Sequence, residues 1–201
     1  ADNDAFTFSN STDDTPFSVS AWVNLDGTSL FCPLGKWSSA REWLFYITTG
    51  NILTLNLRDA SARDVIRLAS SAFTGFQGSW NHITATYSGS GPNSSNAFSA
   101  AMNGATLYIN GKAIDSTATN NASYTGMANN TDKLQIGRFV SNYSKGQIRD
   151  VKLFNKELSA AEVKTLCLSG SLPESFAEST GGTQIYTGDS STFAGGLGNW
   201  T

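Results

Sequence analysis

Apolar residues recur at every second position through much of this chain, the spacing of strands with one buried face. In Phe17–Leu25, the residues Phe17, Val19, Ala21, Val23 and Leu25 share one face, and Ser18, Ser20, Trp22 and Asn24 share the other. Trp43–Thr48 and Ile52–Leu57 are two further runs, and Thr49-Gly50-Asn51 between them predicts a hairpin. Trp80–Tyr87 keeps Ile83, Ala85 and Tyr87 in phase. Thr106–Ile109 and Lys112–Asp115 flank Asn110-Gly111, a strong hairpin signal because a type I′ turn needs positive φ at both positions. Lys133–Arg138 and Gln147–Phe154 complete the strand pattern.

The period then changes once. Ser159-Ala160-Ala161-Glu162 reads as a capping box, and Leu158, Val163 and Leu166 fit one short helix that Gly170 would end. From Ser169 onward, Leu172-Pro173-Glu174 and Ser179-Thr180-Gly181-Gly182 read as linker. The expected organisation is one domain over residues 1–168, with a C-terminal segment over 169–201 or the start of a following module. Gly89–Gly104, rich in Ser, Asn and Gly, reads as a long loop.

Composition agrees with short strands and many turns: charged residues make up 14% of 201. A formal net charge of −3 with no basic stripe argues against a nucleic-acid partner. No apolar run approaches the roughly 20 residues that span a bilayer. The polar start Ala1-Asp2-Asn3-Asp4 is not a signal peptide. Cys32 and Cys167 have no metal-ligand spacing, and read as two buried thiols or one long-range disulfide.

Several segments resemble a known family. Phe17-Ser18-Val19-Ser20-Ala21-Trp22-Val23 resembles the opening strand of laminin G-like jelly rolls, within the concanavalin A-like fold. Ser79–Tyr87 is similar to their central strand, and Leu107–Lys112 to their hairpin. Gly146–Asn155, then Leu158–Val163, is similar to their closing strand and helix. The resemblance covers roughly residues 4–168 and implies an all-β fold: a two-sheet antiparallel jelly-roll sandwich with one short helix. The closing strand departs from the family's frequent acidic pair, with Arg149 at the first position.

Catalysis finds no support in the motifs. The paired carboxylates of jelly-roll glucanases are missing, and so is the pattern of jelly-roll alginate lyases. His82 is the only histidine and reads as structural. Calcium is an expected structural cofactor, held by Asp2, Asp4 and Asp150, because calcium takes six to eight oxygen ligands. The alternative for Asp150 is an ion pair or exposure.

The expected ligand is a glycan. Aromatic rings stack on the apolar faces of sugars while Asn and Arg hold hydroxyls. Trp37, Arg41 and Trp43 form one half of a loop-borne site, and Asn142 and Tyr143 the other. A second cluster, Trp22, His82 and Tyr108, lies on strand faces, where large aromatics are more often core. Asn10, Asn93, Asn121, Asn129, Asn142 and Asn199 head N-glycosylation sequons. The reading is a non-catalytic carbohydrate-binding or adhesion module of a larger extracellular or virion-surface protein. The alternative is a purely structural virion or fibre domain that contacts other subunits.

Overall fold

The computed structural model describes residues 6–9, 14–38, 40–89 and 98–170. Among the described residues, thirteen strands, one α-helix and a short 3₁₀ helix at Phe98–Gly104, at the end of the segment expected to be a long loop, follow in chain order. They are β1 Phe17–Leu25, β2 Phe31–Lys36, β3 Trp43–Ile47, β4 Leu53–Arg58, β5 Asp64–Ala69, β6 Asn81–Tyr87, β7 Ala105–Ile109, β8 Lys112–Ala113, β9 Ser116–Thr119, β10 Gln135–Ile136, β11 Arg138–Phe139, β12 Asn142–Tyr143, β13 Gly146–Phe154 and α1 Ala160–Gly170.

One sheet runs β13-β1-β6-β7-β8 and the other β10-β2-β3-β4-β5-β9. The pairings are antiparallel in both, and the two sheets form the expected jelly-roll sandwich. The alternation read from the sequence sets the core: Phe17, Val19, Ala21, Val23 and Leu25 join Leu53, Leu55 and Leu57 inside, all essentially buried. Asn110 and Gly111 have φ of 51° and 76°, so the β7–β8 turn takes the predicted form. A side chain at Gly111 would also meet Cys167 Cβ at 3.2 Å, where α1 lies against this turn.

The helix crosses the outer face of the five-stranded sheet. Leu158, Val163 and Leu166 pack with Tyr108 and Phe154, and Ser18 Oγ donates to Lys156 O while accepting the Leu158 N–H. Ser159 and Glu162 make the predicted capping box, with Oγ accepting from Glu162 N and Glu162 Oε2 accepting from Ser159 N. This cover buries Trp22, His82 and Tyr108, so the second aromatic cluster is structural. Cys32 and Cys167 are both buried free thiols, which excludes the disulfide.

Two buried polar clusters tie loops to the sandwich. Asp14 accepts hydrogen bonds from Tyr87 Oη and Tyr124 Oη at 2.9 Å each and from Met127 N at 2.5 Å. Burial raises its carboxyl above the usual range against the pull of these donors. Elsewhere, Lys36 Nζ lies 2.9 Å from Glu42 Oε1, with both side chains sealed from solvent.

Candidate functional site

The Lys36–Glu42 pair anchors the loop that follows β2. Lys36 Nζ donates to Thr7 Oγ1 at 2.7 Å, Thr7 Oγ1 to Glu42 Oε2 at 3.1 Å, and Asn130 N to Glu42 Oε1 at 2.8 Å. Burial raises the Glu42 carboxyl, and Lys36 opposes that rise. Next to it, the Asp132 carboxylate accepts the backbone N–H groups of Ser38, Ala40 and Arg41, and the Ser38 hydroxyl. Burial would raise its pKa, but these donors outweigh that and hold it below the ordinary value. Arg41 is thereby fixed at φ 51°, in the left-handed region.

Within this frame the predicted site divides. Trp43 is fully buried beside Phe8 and Phe17, with its Nε1 donating to Phe6 O at 3.0 Å. It therefore leaves the candidate ligand set. Its phase with Phe45 and Ile47 in β3, opposite Leu57 in β4, is the sequence signal that assigns it inward. Trp37 also corrects the expectation: it is 5% exposed, packed with Cys32 and Leu44. Arg41 and Arg58 stand over its ring, at 5.7 and 5.3 Å from the centroid. A ring so covered offers no stacking face to a sugar.

The other half keeps its exposure. Strands β11 and β12 make a small hairpin pairing Arg138 with Tyr143 and Phe139 with Asn142. Ser144 N donates to Gly137 O and closes it. Its turn places Val140 at φ 52°, a strained conformation for a β-branched residue, of order 1–3 kcal/mol. Arg138 Nε donates to Val140 O at 2.8 Å and braces the turn. Phe139 and Val140 pack on the cluster of Cys32, Trp37 and Leu44, so the hairpin and the Trp37 loop do meet. Asn142 is exposed and Tyr143 is 70% exposed, with the Arg138 guanidinium 5.4 Å from the Tyr143 ring centroid. Periodicity gave no sign of this hairpin, because its strands have two residues each.

Beside the hairpin runs the outer face of the six-stranded sheet. Leu44, Asn56 and Ile66 lie abreast in one row and Tyr46, Thr54 and Leu68 in the next. Asn56 is 7% exposed and its buried Oδ1 accepts no hydrogen bond. Arg58 closes the row beside Trp37 and pairs with Asp64 through two bonds of 2.8 and 2.9 Å.

The calcium expectation fares differently. Asp150 sits at φ 52° where the β1–β13 register shifts, and it is exposed with Lys152 Nζ at 2.5 Å. Asp150 thus shows the alternative, an exposed ion pair, where the bulge turns it outward. Among the described residues no group of three His, Cys, Asp or Glu side chains is placed to hold a metal. Asp2 and Asp4 lie outside the described residues.

The fold and the sequence together decide the family. Residues 1–164 match a laminin G family described as the concanavalin A-like lectin/glucanases superfamily. The chain belongs to this family. No curated protein matches it. Among solved structures, this laminin G-like chain is similar to a heptameric SAP-like pentraxin from Limulus polyphemus, at 12% identity and a TM-score of 0.53, covering 77% of this chain and 70% of that one. It is also similar to the botulinum neurotoxin serotype C1 binding domain, at 19% identity and a TM-score of 0.51, covering 77% of this chain. A botulinum neurotoxin type C structure, whose cell entry is described as dependent on two ganglioside molecules, matches at 18% identity and a TM-score of 0.50, again over 77% of this chain. The laminin G-like chain spans 36% of each toxin chain. At these identities the likeness is one of fold.

Proposed function

We propose that this laminin G-like domain is a non-catalytic carbohydrate-binding or adhesion module of a larger extracellular or virion-surface protein. The observation that carries the reading is the braced hairpin, which presents an open Tyr143 ring and the Asn142 amide beside each other. An aromatic face with an adjacent amide suits a pyranose, since the ring covers C–H groups while the amide both donates and accepts. The solved structures of similar fold support it, being a pentraxin and toxin binding domains. The single histidine, His82, is 1% exposed and cannot meet a substrate. No described helix is long and apolar enough to cross a membrane.

Tyr143→Ala should abolish binding on a glycan array while shifting the melting temperature by less than about 2 °C, because an exposed side chain contributes little to stability. Undiminished glycan binding by this variant would remove the hairpin from the site.

The proposal includes a calcium tie between Asp2, Asp4 and Asp150, which would displace Lys152 from Asp150. Chelation should then lower the melting temperature, and added calcium restore it by about 2.7 kcal/mol at a hundredfold excess over Kd. A melting curve that ignores the chelator retires the ion.

A second reading, contacts with other subunits, has its own observation. Phe154, Leu158, Ala161 and Leu166 line an apolar groove of about 400 Å³ along α1, and Leu168 beside it is 59% exposed. Blank glycan arrays with a concentration-dependent mass in solution would favour it.

A further inference from the structure

We infer that α1 is a detachable cover: it opens from the five-stranded sheet as a unit while the sandwich stays folded, and it uncovers a strip of polar side chains. The inference stands apart from the carbohydrate-binding reading. Its basis is a mismatch between the two surfaces that meet. Ser18, Ser20 and Trp22 of β1 pair with Thr86, Thr84 and His82 of β6, on the face opposite the core residues Val19, Ala21 and Val23. Ser20, Thr84, Thr86 and His82 are sealed from solvent. Ser20 Oγ, Trp22 Nε1, His82 Nδ1, Thr84 Oγ1 and Thr86 Oγ1 have no hydrogen-bond partner among the described residues. Each gives up its bonds to water when α1 closes and gains none, which weakens the closed form.

The helix sets little against this strip. Its buried side chains are Val163 and Cys167, and it ends at Gly170, which passes so close to Trp22 Nε1 that no side chain fits there. The hydrogen bonds of Ser159, Glu162, Thr165 and Ser169 stay within the helix, its cap or the adjoining Lys156. Ser18 Oγ bonds to Lys156 and Leu158, ahead of the helix, so the hinge lies there and the Gly170 end is the one that lifts. A helix of 11 residues with two buried side chains is marginal by itself and opens before the sandwich does. Opening also takes apart the apolar groove, whose walls are Phe154 from β13 and Ala161 and Leu166 from α1. A partner seated in that groove would hold the cover shut, since it binds the closed form only.

The test uses the Cys167 thiol, which lies under α1 against Gly111, as a reporter of opening. The full chain is labelled with N-ethylmaleimide under native conditions, and the Cys167 peptide is followed by mass. The opening constant read from its rate should exceed the global unfolding constant from urea melts by at least about a hundredfold, with a urea dependence well below that of unfolding. Ile47→Val, in the core of the sandwich, should raise the global unfolding constant several-fold and leave Cys167 labelling unchanged. Thr84→Val should slow Cys167 labelling by about tenfold, because it removes an unpaired hydroxyl that is sealed in the closed form and wet in the open one. Cys167 labelling that follows global unfolding in rate, urea dependence and response to Ile47→Val would overturn the inference. So would faster labelling in Thr84→Val, which would show that the hydroxyl is bonded in the closed form. A rate that neither urea nor Thr84→Val changes would also overturn it, because the thiol would then be reached with the helix in place.

Discussion

Lys36→Met lowers the melting temperature by roughly 6–20 °C, corresponding to about 3–5 kcal/mol for breaking a buried ion pair in a domain of this size. The cost comes from what is left behind. Glu42 is fully sealed from solvent, and without Lys36 its charge keeps, among the described residues, the Thr7 hydroxyl and the Asn130 N–H. Protonating the carboxyl or admitting water are the remaining routes, and each opens the packing around Thr7, Glu42 and Asn130. Glu42→Leu should cost a similar amount, because it removes the carboxylate that balances the buried ammonium. The double variant Lys36→Met/Glu42→Leu should be markedly more stable than either single one, since it removes both buried charges. Thermal melts of the four proteins close this cycle. Strictly additive losses would show that the two charges do not act as a pair.

Acidification from about pH 7 to about pH 4.5 should destabilise the protein by about 2–3 kcal/mol through His82 alone. Burial holds the His82 imidazole down to about 4 from an ordinary 6.5, with Asp150 pulling it up and Lys152 pushing it down. Above the unfolded value both states carry a neutral ring, and its contribution is complete. Below that value the unfolded chain binds a proton that the native state refuses, so stability falls until the pH passes the native value near 4. His82 is sealed beneath α1 beside Trp22, 5.3 Å between ring centroids, and its Nδ1 has no partner that could relieve the charge. His82→Gln should flatten the melting-temperature profile across this window whatever its effect at neutral pH. An unchanged slope would mean that the ring reaches solvent. Asp14 has the opposite sign: its carboxyl is raised, so its contribution is lost as pH rises through its native value.

The buried Lys36–Glu42 pair also holds the loop after β2. The Lys36–Glu42 pair and the Asp132 carboxylate fix the backbone of Arg41, while Val140 and Arg138 fix the hairpin. Recognition groups on rigid supports lose less entropy on binding than groups on loose loops.

The alternation of apolar residues determined most of the sandwich. Phe17–Leu25, Trp80–Tyr87 and Gln147–Phe154 carry a period of two, and they became β1, β6 and β13 with bounds shifted by a residue at most. Asn110-Gly111 fixed its turn for a local reason, positive φ at both positions. Ser159 and Glu162 fixed the start of the helix in the same way. Strand β2 escaped this reading because Pro33 and Gly35 interrupt it and every residue in it is buried, which erases alternation.

Exposure was not legible where two segments distant in sequence meet. Trp37 and Trp43 look alike in the chain, as aromatics near Ser, Arg and Glu. The sandwich interior claims Trp43, and two arginines, one of them from β4, cover Trp37. Asp150 lies in a run that reads as one regular strand, yet a bulge turns it to solvent against Lys152, since one extra residue reverses which face a side chain takes. Local sequence therefore determined which residues form strands, the hairpin turn and the helix cap, because those depend on neighbours a few positions away. Which aromatics remain open and where the hairpin settles were decided by tertiary packing, because each depends on a partner many residues away.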